Sequence, residues 1–542
     1  MQRQTRNVAQ CQLGNQEEGS EVTFCGQTPT SFNTHLNRHR HKFKIDDRGD
    51  SQANEDIATL RDCLTLLVNE LNKTDHRPLR NRNLFLNQNN NFMKGGQIVH
   101  DYYRNDFVHP SERDQKDALM DEADKLNSTA ANPETLNKSI TTSEVYSAIK
   151  SVKSGKAAST DMMCNEFLKC LDIPHTLLLA NIFNICLTKN VYPWNVSIIS
   201  PLHKKGNKSD PDNYRAVAVS SVLGKLFSSI LLERLIEFRM ANSPDPPNQL
   251  GFTKKAQTYD HVLTMQTIAS KYKKLHKPVF AVFVDFKKAF DSVCRQALFL
   301  KLAKHGVTGN FYGVLKHMYA NSYAHIKLSG HLSSKFKINK GTEQGHPLSP
   351  DLFKIFISDL SPLLELSNVP TLSDKQVSHL LWADDLILLS LDAKTAQLQL
   401  NALENFCTRW GIEINGKFLP NSTAPSLYLN NNPLKNVDSY CYLGIILHKT
   451  GSVSYTRNDL RDKAMRAFFG LKRCVLRSKL SFKSLSTLFD SLIKPILLYG
   501  ATIWVPNSSV NKSITKSVKS MKSDLVKVVT RSVQEKVHLS YF

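Results

Sequence analysis

Leu381-Trp382-Ala383-Asp384-Asp385-Leu386-Ile387-Leu388-Leu389 sets two adjacent carboxylates between two short apolar runs. Runs of this length flanking a polar pair predict buried strands of a hairpin, whose turn would hold both aspartates at the lip of a sheet. Earlier in the chain, Val279-Phe280-Ala281-Val282-Phe283-Val284 ends in a third carboxylate, Asp285, again at a strand end where it could meet the other two. Taken alone, Asp384-Asp385 reads equally well as a polar turn, since Asp is a common turn residue. Brought together, three oxygen-only ligands without His or Cys favour Mg²⁺ or Mn²⁺ over zinc. Two such ions roughly 4 Å apart are an apparatus for in-line phosphoryl transfer.

The neighbouring segments decide between these readings. Asp285 opens Asp285-Phe286-Lys287-Lys288-Ala289-Phe290-Asp291, and Gly341-Thr342-Glu343-Gln344-Gly345-His346-Pro347-Leu348-Ser349-Pro350 lies between the aspartate sites. Ahead of them stand Ile199-Ser200-Pro201-Leu202-His203-Lys204-Lys205-Gly206, Asn213-Tyr214-Arg215 and Gln249-Leu250-Gly251-Phe252; behind them, Tyr442-Leu443-Gly444 and Leu498-Tyr499-Gly500-Ala501-Thr502-Ile503-Trp504. In this order the segments resemble the reverse transcriptase of non-LTR (LINE-type) retrotransposons, over roughly residues 140 to 510.

The resemblance implies an α+β right-hand polymerase of fingers, palm and thumb. The expected division is a polar, largely disordered region over 1–140, fingers over 141–280, a reverse transcriptase domain of fingers plus palm over 181–447, and a thumb with a basic C-terminal region over 448–542. It implies RNA-directed DNA synthesis with two Mg²⁺ (or Mn²⁺) ions, dNTP as substrate, and an RNA template and DNA primer as partners. Asp285, Asp384 and Asp385 would hold the metals, with Phe286 adding its backbone carbonyl. Lys204, Lys205 and Arg215 would grip the triphosphate, although a bare Lys-Lys-Gly reads as a solvated charge run. Phe290 falls where the family keeps a gate against the ribose 2′-hydroxyl; without the family it reads as a core phenylalanine. Gln344 and Gly345 resemble the nucleotide-positioning pair, where Gly permits close backbone approach. Tyr440 through Leu447 reads as one strand of a primer-grip hairpin carrying Tyr442, Leu443 and Gly444, with a turn at Thr450-Gly451. Trp382, larger than the usual aromatic before Ala-Asp-Asp, is expected to shift the hairpin slightly.

Composition agrees. With 70 Lys+Arg against 48 Asp+Glu, the net charge of +22 points to a polyanionic partner. No apolar stretch reaches the ~20 residues of a membrane span, because Lys494-Pro495 splits the best run. The ten cysteines show no C-x-x-C pair, and the polar start has no secretory core, so a soluble, intracellular protein is expected. In the first 130 residues, periodicity is poor apart from a possible helix through Ile57, Leu60, Leu64, Leu67 and Leu71, and Asn87–Asn91 is a polar tract. Cys25, Phe32, Leu36, His39 and His41 resemble half a Cys₂His₂ finger, but the paired cysteine is missing, which favours a solvated basic stretch.

Further along, Thr142-Ser143-Glu144-Val145 predicts a helix start. Leu460, Ala464, Ala467, Phe468 and Leu471 predict a basic amphipathic helix suited to a thumb along the duplex, or a surface helix with snorkelling Lys and Arg. Three departures from the family stand out. Gly155-Lys156-Ala157-Ala158-Ser159-Thr160-Asp161 lacks the Pro and Gly of the family's G-K-A-P-G-x-D loop. After Ile414-Asn415, Lys417 comes one residue early and precedes an expected Phe-Leu-Pro loop, which predicts slow extension. No endonuclease or RNase H segment is recognisable, so autonomous integration is not expected. The competing expectation is a decayed nucleic-acid-binding remnant.

Overall fold

The computed structural model describes residues 113–501, with gaps at 157, 159–160, 162, 205, 208–209, 329–330, 420–425, 453 and 477–481, and isolated positions beyond. All belong to one compact unit, Gln88–Phe542. The expected helix through Ile57, the finger-like segment and Lys205 lie outside the described residues.

Nine of the described strands position the site. β1 (Val196–His203) pairs antiparallel with β2 (Tyr214–Val219), placing Leu202 opposite Arg215. β3 (Phe280–Phe286) belongs to a second sheet, whereas β4 (Tyr323–Leu328) returns to the first, parallel to β1. β5 (His379–Trp382), β6 (Asp385–Ser390) and β7 (Ile414–Leu419) join β3 in the second sheet in the antiparallel order β7-β3-β6-β5, and the short strand Lys435–Asn436 adds a parallel fifth member beyond β7. β8 (Ser439–Tyr442) and β9 (Ile445–His448) form a separate hairpin. Long helices accompany these mostly antiparallel sheets, so the chain is α+β.

β3 reads as an unbroken apolar run because it is central, with β7 on one side and β6 on the other. Side chains alternate along a strand, so Val282, Val284 and Phe286 line one face and Ala281 and Phe283 the other. All five are buried. The register adds Leu389 beside Ala281 and Ile387 beside Phe283. That face is covered by helix α1 (Thr258–Lys274) through Val262, Met265 and Ile268, by the β8–β9 hairpin, and by helix α2 (Ser454–Leu476) through Leu460, Ala464 and Phe468. Asp285 is next in line on the same face, beyond the reach of this packing, and is exposed.

Three expectations need correction. The helix expected at Thr142 is capped one residue earlier: Thr141 accepts from the Glu144 N–H at 3.2 Å, and Glu144 accepts from the Thr141 N–H at 2.8 Å. Tyr440 to Leu447 is two strands, because Leu443 (φ 46°) and Gly444 (φ 80°) are both left-handed and turn the chain back. The loop expected after Lys417 starts later, since Phe418 and Leu419 continue β7 opposite Val282 and Ala281. The amphipathic helix is present as α2, with Leu460, Ala464, Phe468 and Leu471 buried. Among the described residues, no helix is long and apolar enough to cross a membrane.

Candidate active site

The β5–β6 hairpin has a two-residue turn, Ala383-Asp384, with Trp382 paired to Asp385. Ala383 adopts φ 57°, a cost that its surroundings must hold in place. They do so through Gln249, a buried side chain whose Oε1 accepts from the Ala383 N–H at 3.2 Å and from the Gly251 N–H at 2.9 Å. Backbone bonds from Leu250 N–H to Leu381 O (3.1 Å) and from Leu381 N–H to Asn248 O (2.9 Å) bind the two segments. Any β-carbon on Gly251 would stand 2.2 Å from the Ala383 nitrogen, so only glycine fits.

Across the sheet, Asp385 is the direct partner of Asp285, and Asn415 faces Asp285 from β7. One row at the sheet's lip therefore reads Trp382, Asp385, Asp285, Asn415, with Asp384 in the turn beside it. The electrostatics register this crowding. Burial pushes the Asp385 carboxyl up to about 6, and the charges of Asp384 and Asp285 push in the same direction. Asp384 is also raised by burial and by Asp285, while its own backbone hydrogen bond, Arg215 and Lys204 pull it back down. Arg215 and Lys204, both exposed, thus face the acidic lip from the first sheet.

Phe286 buries its side chain, leaving only its backbone to the site. Phe290 is half-buried between Phe353 (ring centroids 5.0 Å apart) and Phe252 (6.1 Å), so it is a packing residue as well as a gate candidate. Gln344 donates from Nε2 to Asp291 at 3.1 Å, and its carbonyl accepts from the Ala218 N–H of β2 at 3.0 Å. Gly345 takes φ 99°, close against the Ala218 carbonyl. The loop bearing this pair is anchored by Glu343, which accepts from Ser220 (3.0 Å) and Ser197 (3.3 Å) and whose carboxyl is raised by burial.

The β8–β9 hairpin lies over the aspartate face. Tyr440 stacks on Phe283 at 4.3 Å, and burial with the nearby Asp385 and Asp285 pushes its phenol up to about 12. Tyr442 Oη bonds His261 Nδ1 of α1 at 3.1 Å, and the same imidazole meets Trp382 edge-on at 5.6 Å. His261 therefore bridges the aspartate hairpin and the β8–β9 hairpin, a role that no local pattern around it signals. Lys417 shares the face of Asp285 and Phe283, with Nζ over the Tyr440 ring at 5.6 Å. Asp161 accepts from Ser221 Oγ (2.6 Å) and Val222 N–H (3.0 Å) at the start of the helix Val222–Asn242, so the aspartate of the altered loop serves as a helix-end partner.

Among the described residues, no three Asp, Glu, His or Cys side chains form a ready-made cage for one ion. The donor set still fits Mg²⁺, which keeps several waters and is commonly held by one or two carboxylates plus substrate phosphates. Mutually repelling carboxylates at the lip are stabilised by any cation that joins them.

Residues 202–447 match the family "Reverse transcriptase (RNA-dependent DNA polymerase)". The chain is 27% identical over 395 residues to the RNA-directed DNA polymerase from mobile element jockey of Drosophila melanogaster, covering 69% of this chain and 42% of that protein. It is 29% identical over 395 residues to the probable RNA-directed DNA polymerase from transposon BS of the same fly, covering 68% and 42%. It is 25% identical over 371 residues to a Pol polyprotein from retrotransposable element R2 of Popillia japonica, covering 64% and 48%. Among solved structures, apo telomerase from Candida tropicalis aligns at a TM-score of 0.34 and 14% identity, over 47% of this chain and 53% of that one. Residues 202–447 are thus similar to a reverse transcriptase domain. Two of these relatives are named as RNA-directed DNA polymerases of mobile elements and the third as a Pol polyprotein of a retrotransposable element, and the chain spans less than half the length of each.

Proposed function

We propose that this chain is an RNA-directed DNA polymerase that joins a dNTP to a primer 3′-hydroxyl by two-metal phosphoryl transfer. The observation that carries this reading is the register of Asp385 against Asp285, with Asp384 in the adjoining turn and Arg215 and Lys204 facing it. The second sheet would be the palm, the first sheet and the helices before β3 the fingers, and α2 with the chain beyond it the thumb. Asp285, Asp384, Asp385 and the Phe286 carbonyl would hold Mg²⁺, which when bound would activate the primer hydroxyl and neutralise the triphosphate. The remaining work belongs to the chain itself. Lys204, Lys205 and Arg215 bind the triphosphate, Gln344 and Gly345 seat the nucleotide along β2, and Phe290 excludes a 2′-hydroxyl. The Tyr442-Leu443-Gly444 turn, on the aspartate face, holds the primer end.

Lys417 shares that face as well, which leaves a lysine near the lip despite its early position. Moving it to position 418 would replace Phe418, a fully buried ring on the opposite face.

The test is extension of a DNA primer on an RNA template of defined sequence by the purified chain in Mg²⁺. Products whose sequence follows the template support the reading. Duplex binding without any extension would instead favour a non-catalytic nucleic-acid-binding remnant.

A further inference from the structure

The segment Leu498-Tyr499-Gly500-Ala501 lies far along the chain from the aspartates, yet Tyr499 reaches the turn assigned above to the primer. Its hydroxyl donates to the Leu443 carbonyl at 2.8 Å. It also lies 3.0 Å from Thr258 Oγ1, in the first turn of α1. A phenol carries one proton, so with that proton on Leu443 the Thr258 hydroxyl is the donor to Tyr499. The ring edge also packs on the turn, where a β-carbon on Gly444 would meet Tyr499 Cε1 at 3.1 Å.

The turn requires holding. Leu443 adopts φ 46°, and a left-handed conformation in a non-glycine residue persists only where its surroundings over-determine it. The Tyr499 hydroxyl supplies that constraint at the carbonyl of the strained residue itself. Its other partner, Thr258, lies one helical turn before His261, which bonds Tyr442 and touches Trp382 of the aspartate hairpin. One end of α1 is therefore tied to both sides of the lip.

We propose that Tyr499 is a positioning residue: its hydroxyl latches the Leu443-Gly444 turn to α1 and so fixes the primer end relative to Asp285 and Asp385. The proposal rests on the reading of that turn as the primer-holding element. Tyr499→Phe keeps the ring against Gly444 and removes only the latch; Thr258→Val removes the second partner with little change of shape.

Single-nucleotide addition on a matched RNA template–DNA primer is measured for the parent chain, Tyr499→Phe, Thr258→Val, the double variant and Gly444→Val, alongside thermal melting. The expected result for Tyr499→Phe is a fall in kcat of about threefold to tenfold, the scale of one hydrogen bond, with the KM for dNTP unchanged. Thr258→Val falls in the same direction, and the double variant falls no further than Tyr499→Phe. A general loss of structure would instead lower the melting temperature and disturb the dNTP KM as well. The proposal is overturned if Tyr499→Phe keeps the parent kcat while Gly444→Val loses it, or if Thr258→Val alone is silent. If the parent does not extend, the polymerase reading fails, and if Gly444→Val extends like the parent, the primer-turn reading fails; either result takes the proposal with it.

Discussion

At the residue scale, Asp285, Asp384 and Asp385 were legible because each adjoins an apolar run, and strand alternation with antiparallel register then brings them to one lip. Phe290 carried two readings, and its environment supports a testable combination: it packs on Phe353 and Phe252 but is not fully enclosed. Phe290→Ala is expected to raise ribonucleotide incorporation relative to deoxyribonucleotide by at least about tenfold, since a missing ring worth about 1.4 kcal/mol of discrimination corresponds to that factor. The ratio of kcat/KM for rNTP and dNTP checks this, and an unchanged ratio would leave Phe290 with packing alone. Gln249, His261 and Tyr499 could not be assigned these roles from sequence. Their partners Ala383, Tyr442 and Leu443 lie far away in the chain, and nothing local distinguishes a hydrogen-bonding side chain from a solvated one.

At the element scale, helices and strands with strong periodicity were legible and turns inside apolar runs were not. The α2 stripe from Leu460 to Leu471 was readable because burial follows helical spacing. The turn at Leu443 was hidden because a leucine rarely adopts a positive φ. Gly251 shows what such close packing demands. Gly251→Val would force the hairpin turn away from the Gln249–Gly251 segment, and overpacking of this kind costs about 1–3 kcal/mol. The expected outcome is a lower melting temperature together with impaired extension; a variant with parental melting and extension would refute the clamp. For α2, removing the helix would also remove Leu460, Ala464 and Phe468 from the core, so its charge is better tested by substitution. Arg461, Arg466 and Arg473 are exposed. Changing all three to Gln should flatten the salt dependence of RNA–DNA duplex binding by about 0.9 in log–log slope for each phosphate that is no longer neutralised. An unaltered slope would place the duplex elsewhere.

At the scale of the whole molecule, buried neutral histidines tie stability to pH. Burial lowers His261 and His379 to about 4 and His346 to about 3, and each ring is hydrogen-bonded inside the fold. An unfolded histidine titrates near 6.5, so above that pH neither state gains a proton and these groups have no effect. Below it the unfolded chain takes up protons that the folded chain refuses, and stability falls by up to about 1.4 kcal/mol per pH unit for each histidine until the folded values are reached. Denaturant midpoints should therefore drop between pH 6.5 and 4.5, and His379→Gln should shallow that slope; a flat profile would contradict burial of the neutral rings. The net charge of +22 agrees with a polyanionic partner, but where the chain meets it depends on the fold. The central claim is that the lip formed by Asp285, Asp384 and Asp385 carries the chemistry while binding rests on phosphate-neutralising residues spread elsewhere. Its most direct test is rapid-quench single-nucleotide addition in Mg²⁺ by Asp285→Ala, Asp384→Ala and Asp385→Asn, with template–primer affinity measured in parallel. Extension should fall by about 10²-fold to 10³-fold in each, as loss of preorganised charge stabilisation predicts, with affinity within about twofold of the parent. Extension near the parental rate in any of the three would contradict it.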